Sequence, residues 1–155
     1  DSKQLSEKQR EKTFYLLEQN KFVEWGIGIV SEKIIDEINI LQATKLAMTK
    51  AVNELSIKIH DRGSLLISQL LIDGNFAINI NIPQKSIIKG DQTVPVISAA
   101  SIIAKVTRDR LMIKYHKKYP QYRFNVHKGY STALHRKLIA RHGLCPIHRR
   151  SFTSS

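Results

Sequence analysis

Two short apolar runs in this chain each end on an aspartate next to a glycine, and the second leads into a long helical stretch. The first run occupies residues 64–73. Its second half, residues 69–72, reads as a buried strand that stops at Asp73, with Gly74 and Asn75 following. The second is a short strand over residues 86–88 that ends in Lys89-Gly90-Asp91. Pro95 then precedes a helix over about residues 97–115, whose first half carries Ala99, Ala100, Ile102, Ile103 and Ala104 and should be deeply packed. Strands that alternate with helices in this way define an α/β sheet domain, and such sheets gather their ligands at the carboxyl ends of strands.

The remaining elements follow the same logic. Ser6-x-x-Gln9 is a capping box, so a helix should open at Glu7, run to about Gln19 and bury Phe14 and Leu17. Residues 22–30 alternate, with Val23, Trp25, Ile27 and Ile29 on one face and Glu24, Gly26 and Gly28 on the other, which predicts a strand. The two glycines imply close packing on the second face or a sharp twist. Ser31 can cap a short helical turn through Ile35. Asn39-x-x-Gln42 resembles a second capping box, and Ile40, Ala43, Ala47 and Ala51 recur at helical spacing to about Leu55. Residues 75–83 are irregular. A last helix over about residues 131–142 is stopped by Gly143, and a basic tail follows.

At 155 residues one domain is expected. Its formal charge of +12 favours polyanionic partners, nucleic acid before an anionic membrane surface. A membrane role is not expected, because no apolar run approaches the roughly 20 residues that span a bilayer. Residues 1–19 are polar and charged, unlike a secretory signal, and Cys145 is the only cysteine, so no internal disulfide forms. A cytoplasmic, nucleic-acid-facing protein fits; a basic scaffold protein of the ribosomal kind fits the composition equally.

Asp73 and Asp91, at adjacent strand ends, are the candidate chemistry. Carboxylates gathered at one edge repel unless a divalent cation lies between them. Mg²⁺ or Mn²⁺ takes one or two carboxylates with waters and substrate phosphate, and a pair of such ions serves phosphodiester hydrolysis. Each aspartate alone also suits an ordinary turn, Asp-Gly being a common turn pair. Asp109 competes for the role, but Lys105, Arg108 and Arg110 around it favour a structural ion pair. Ser98 and Ser101, on the first turns of the long helix, could hold a phosphate or simply cap. The basic stretch 114–118, with Tyr115, Tyr119 and Tyr122 interleaved, offers phosphate contacts or a solvated face. His135, His142 and His148 lack a convincing zinc spacing and read as surface or packing residues.

Seven blocks carry a resemblance: Asp1-Ser2-Lys3-x-Leu5-Ser6, the stretch 35–44, Ile72-Asp73-Gly74-Asn75, Lys89-Gly90-Asp91, the stretch 98–109, His127-Lys128-Gly129-Tyr130 and His148-Arg149-Arg150-Ser151-Phe152. In order and spacing they resemble bacterial ribonuclease HII, the type 2 ribonuclease H, over nearly the whole chain. The resemblance implies a ribonuclease H-like α/β fold, a mixed sheet flanked by helices, in a single domain over residues 1–155 whose segment 118–155 forms a C-terminal helical extension and basic tail.

It also implies a four-carboxylate site that binds two Mn²⁺ or Mg²⁺ ions, in which Asp73 matches the third acid and Asp91 the fourth. The first two acids of the family lie in a Gly-x-Asp-Glu-x-Gly-Arg-Gly motif that these 155 residues do not contain. The opening strands of the sheet are therefore expected upstream of Asp1. Without them Trp25 and Leu71 should lack partners, and the isolated chain should be poorly stable. Tyr130 matches a tyrosine that reads the junction between a ribonucleotide and the next deoxynucleotide. Ser2 and Lys3 match a motif that approaches the substrate backbone, and Asn75, Ser98 and Ser101 are further candidate contacts. The implied activity is endonucleolytic cleavage of the RNA strand of RNA–DNA hybrids, with incision 5′ of single ribonucleotides in duplex DNA, by a monomeric cytoplasmic enzyme. A fragment that only binds nucleic acid is the alternative.

Overall fold

The structure, a computed structural model, describes residues 2, 4–61, 63 and 66–152. They form two compact units: residues 1–103 with 149–155, and residues 104–148.

In the first unit, helix α1 (Glu7–Gln19) starts where the capping box places it. Ser6 Oγ accepts from the Gln9 amide at 3.3 Å, and the Ser6 amide donates to Gln9 Oε1 at 2.8 Å. Phe14 is buried on this helix and meets the edge of Trp25 with ring centroids 6.0 Å apart, so Trp25 does have a partner. Helix α2 (Glu32–Asp61) is two helices joined at Asn39, whose φ of 65° breaks the helical path. Asn39 Oδ1 then accepts from the Leu41 and Gln42 amides at 3.0 and 3.1 Å, capping the second segment as the sequence pattern required. That segment continues well past Leu55.

The strand expected over residues 22–30 is not formed. The stretch 23–30 has no regular secondary structure, and among the described residues it pairs with no strand. Three of its backbone groups are met by α2 side chains instead, the Ile29 carbonyl by Lys50 Nζ at 3.4 Å and two others by Glu54 and Lys58. The Ile27 amide donates to Glu54 Oε2 at 2.7 Å, and Lys58 Nζ donates to the Trp25 carbonyl at 3.1 Å. Lys58 also pairs with Glu54, and that hydrogen bond holds the Glu54 carboxyl below its ordinary pKa. The glycines explain the approach. A Cβ on Gly26 would lie 2.0 Å from the Ala51 carbonyl oxygen, and one on Gly28 would lie 1.7 Å from that of Ala47. The close packing inferred from these glycines is thus real, with a helix as the neighbour.

Strands β1 (Leu70–Asp73) and β2 (Gln84–Ile87) are parallel, with Asp73 opposite Ile87. Ile72 is buried, whereas Ile88, expected in the second strand, lies beyond it and is exposed. The irregular stretch between the strands is clamped by Gln84, whose side chain accepts from the Ile78 amide and donates to the Ile78 and Ile80 carbonyls. A one-turn helix α3 (Gly90–Thr93) follows, then the long helix α4 (Pro95–Lys118). Ile97, Ile102, Ile103, Val106 and Met112 are buried on α4, but Ala100 and Ala104 are exposed, so only one side of its small apolar half is packed.

The second unit has a core of Met112, Tyr122 and Phe124, with Tyr115, Tyr119, Leu138, Cys145 and Ile147 packed on it. Tyr122 is therefore a core residue and not a phosphate contact. Its hydroxyl donates to the Gly143 carbonyl at 2.9 Å, and burial pushes its pKa up. Short helix α5 (Phe124–His127) and helix α6 (Ala133–His142) complete the unit, α6 capped by Thr132 Oγ1 accepting from the His135 amide.

Candidate functional site

Asp73 closes β1, and its carboxylate is caught by the turn that follows β2. The Gly90 amide donates to Asp73 Oδ1 at 2.9 Å, while the Gly74 amide donates to the Ile87 carbonyl at 3.0 Å and extends the strand pairing by one step. Asp91 is the next residue after Gly90. It does not end a strand, as expected, but lies in the first turn of α3, because Lys89 takes a left-handed conformation (φ 56°) and turns the chain into the helix. Gly90 is buried, and a Cβ there would lie 2.6 Å from Ile97 Cδ1, so only glycine brings this amide to Asp73 without displacing Ile97. Asp73 and Asp91 are both half-buried at one end of the two-stranded sheet.

Their oxygens suit a hard divalent cation, and Asp73 Oδ2 is not used by the bond to Gly90. Among the described residues no group of three or more His, Cys, Asp or Glu side chains is arranged to hold a metal ion. Two carboxylates with water and phosphate suffice for one Mg²⁺ or Mn²⁺, and a two-ion site requires further oxygen ligands.

The other candidates of this unit fall in different places. Ser2 is buried and shares a 2.8 Å hydrogen bond with Ser101, so two residues 99 positions apart meet. Arg10 secures this end of the chain through the Ser2 and Leu5 carbonyls. Lys3 lies outside the described residues. Asn75 is exposed in the turn after Asp73, and Ser98 is half-buried in the first turn of α4. The sequence reading missed Asp36, whose carboxylate accepts from the Arg150 and Ser151 amides at 2.8 and 3.0 Å and from the Ser151 hydroxyl. The Ser151 hydroxyl, above all, holds the Asp36 pKa below its ordinary value. An aspartate one turn into a polar helix gives no local signal that it will bind a segment 114 residues away.

In the second unit Tyr130 is 52% exposed, yet it is held on several sides. Its amide donates to the His127 carbonyl at 2.8 Å, and its own carbonyl lies 3.0 Å from His135 Nδ1. Lys105 Nζ and Arg108 Cζ sit 4.9 and 5.7 Å from the ring centroid. Asp109 is buried and pairs with Lys105 at 2.7 Å, the ion pair expected from its basic neighbours.

Beneath Tyr130 lies a group of three buried histidines. His127 and His135 stack with centroids 4.1 Å apart, and His135 Nε2 is 3.1 Å from His148 Nε2. The backbone dictates one neutral tautomer for each. His127 Nε2–H donates to the Tyr122 carbonyl at 2.7 Å, and its Nδ1 accepts from the Gly129 amide at 3.2 Å. His135 Nδ1–H donates to the Tyr130 carbonyl, which leaves Nε2 to accept from His148 Nε2–H. His148 Nδ1 in turn accepts from the Cys145 amide at 2.9 Å. Burial, reinforced by the neighbouring His127, pushes His135 down to about 4, and burial also lowers His148. His135 and His148 are thus packing residues; His142 is exposed.

The fold matches the crystal structure of the ribonuclease H2 from Pyrococcus horikoshii OT3, with a TM-score of 0.67 and 28% identity over 97% of this chain and 75% of that one. A ribonuclease H-like α/β fold is therefore the class. The family model for ribonuclease HII matches residues 1–155. Proteins named ribonuclease HII share 49% identity in Ruminiclostridium cellulolyticum and 53% in Acetivibrio thermocellus over the whole of this chain, and 47% in Syntrophus aciditrophicus over 98% of it. This chain belongs to the ribonuclease HII family. It spans 57% of the length of the first two relatives and 68% of the third.

Proposed function

We propose that this chain forms the greater part of a divalent-metal-dependent endoribonuclease that hydrolyses the RNA strand of RNA–DNA hybrids. It also incises duplex DNA on the 5′ side of a single embedded ribonucleotide, leaving a 3′-hydroxyl and a 5′-phosphate. The observation that carries this reading is the Asp73 carboxylate fixed at the end of β1 by the amide next to Asp91, in a chain of the ribonuclease HII family.

Asp73 and Asp91 would hold Mn²⁺ or Mg²⁺, which when bound supplies an activated water and stabilises the charge on the leaving oxygen, a chemistry served by two ions. The Gly90 hydrogen bond restricts rotation of the Asp73 carboxylate and engages only Oδ1, which leaves Oδ2 for a ligand. Phosphate contacts from Lys3, Asn75, Ser98 and Ser101, with the buried Ser2 supporting Ser101, would set the register of the strand without reading its sequence. Tyr130 would pack against the sugar that follows the ribonucleotide, where a 2′-oxygen is missing. The high positive charge suits a duplex partner, and no described helix is long and apolar enough to cross a membrane. We infer a cytoplasmic monomer that serves ribonucleotide excision repair and primer removal in DNA replication.

A second reading is a chain that binds nucleic acid without cutting it. It is favoured by the finding that, among the described residues, no three or more His, Cys, Asp or Glu side chains are grouped to hold a metal ion. Cleavage of duplex DNA with one ribonucleotide, in Mn²⁺ or Mg²⁺, separates the two. Incision that disappears in Asp73→Asn supports the nuclease; binding without incision supports the second reading.

A further inference from the structure

We propose that Asp109 is a positioning residue for Tyr130, acting through the Lys105 ammonium that it holds over the tyrosine ring. This rests on the reading of Tyr130 as a sugar contact. The geometry is continuous within one unit. Asp109 Oδ1 is 2.7 Å from Lys105 Nζ, and that same ammonium lies 4.9 Å from the Tyr130 centroid. The two charged side chains are 8% and 19% exposed, so the pair sits in a setting of low polarisability where the ammonium needs a fixed counter-charge.

Helix stability does not account for the pair. With the lysine four residues before the aspartate, the order is the less favourable one for a helix. Largely buried ion pairs are also poor stabilisers compared with apolar replacements of the same volume. What the pair does accomplish is to fix a cation that would otherwise swing on four methylenes. Tyr130 needs that support because its ring is half-exposed. The hydrogen bonds to His127 and His135 fix its backbone, but neither restrains the ring. Arg108 adds a second cation, tied to the Lys128 carbonyl at 3.3 Å. A ring preset in this way loses little freedom when a sugar packs on it.

The test uses the full gene product that carries this sequence, with Asp109→Asn, Tyr130→Leu and the apolar double variant Lys105→Met/Asp109→Leu. Binding is measured by fluorescence anisotropy in Ca²⁺ for two duplexes, one with a single ribonucleotide in a DNA strand and one with a uniform RNA strand. The ratio of the two affinities reports discrimination at the junction. Tyr130→Leu should reduce that ratio. Asp109→Asn and the double variant should reduce it roughly threefold to tenfold, the size of a lost cation–π contact. The double variant should do so while its thermal midpoint stays near that of the parent, which a purely structural ion pair would not produce.

A second readout does not depend on substrate. In NMR spectra the Lys105 ε-methylene should be shifted upfield by the ring, lose that shift in Tyr130→Leu, and lose part of it in Asp109→Asn. An unchanged Lys105 shift in Asp109→Asn overturns the proposal. So does a parental affinity ratio in both Asp109 variants when Tyr130→Leu has lost it. If Tyr130→Leu itself keeps the parental ratio, the sugar-contact reading fails, and the proposal falls with it.

Discussion

Protonating His135 should loosen the support of Tyr130, and the structure gives the size of the effect. In the neutral state His135 Nδ1–H donates to the Tyr130 carbonyl, and Nε2 accepts from His148. A second proton on Nε2 would face the N–H of His148 across 3.1 Å, with His127 stacked 4.1 Å away. The sign follows from the depressed pKa. The unfolded chain binds the proton more readily than the folded one, so the contribution is complete above the ordinary value of 6.5 and is lost as pH falls toward the folded value of about 4. For these two values the linkage relation gives about 2 kcal/mol lost between neutral pH and pH 5. His148, lowered in the same direction, adds to the loss. Urea unfolding at intervals from pH 7.5 to pH 5, before most carboxylates titrate, measures it. His135→Gln should be less stable at neutral pH, yet its stability should fall less steeply with acid than that of the parent. Equal slopes in the two proteins would refute the reasoning, since they would place the titrating groups elsewhere.

Other perturbations probe other parts of the chain. Gly28→Ala places a methyl 1.7 Å from the backbone oxygen of Ala47, where no side chain can yield, and should cost at least about 1–3 kcal/mol in a thermal or urea melt. Gly90→Ala meets the tip of Ile97 at 2.6 Å, so stability should fall by less than in Gly28→Ala, and any incision activity should drop to the extent that the Gly90 amide, in place of that tip, gives way and releases Asp73. Tyr122→Phe removes the hydroxyl that donates to the Gly143 carbonyl and should cost about 1 kcal/mol of stability by the same melt. Asp36→Ala should raise amide hydrogen exchange at Arg150 and Ser151. In the parent the same release should come only as pH falls through the lowered pKa of Asp36, below the usual carboxylate range.

Local chemistry made several of these features legible in the sequence. A capping box needs only four consecutive residues, so Ser6 and Asn39 announced two helix starts, one of them at a kink inside what is otherwise a single helix. Gly26 and Gly28 announced either a close neighbour or a sharp twist, and the neighbour is what the structure holds. They could not announce which neighbour. The same alternation serves an irregular segment with an amide and a carbonyl taken by Glu54 and Lys58 as well as one paired in a sheet, and the choice depends on groups 27 to 33 residues away.

The two aspartates show the same division at the candidate site. Apolar residues ending in Asp73 located the end of β1 directly, since a carboxylate is costly to bury and so marks where a buried run comes out of the core. Asp91 was assigned to the wrong element, a strand end in place of the first turn of α3. Lys89 adopts a left-handed conformation that nothing in its side chain demands; the demand comes from Gly90, which must be small to pass Ile97 and present its amide to Asp73. That constraint is tertiary and therefore silent in the local sequence. Its consequence is that the orientation of the Asp73 carboxylate depends on a glycine that is not itself a candidate ligand. A substitution at Gly90 should thus lower metal affinity with both aspartates intact, whereas Asn75→Ala, exposed in the turn beyond β1, should leave metal affinity unchanged. Titrating Mn²⁺ by its paramagnetic resonance signal against the two variants distinguishes them, and equal affinities would show that the Gly90 amide does not orient Asp73.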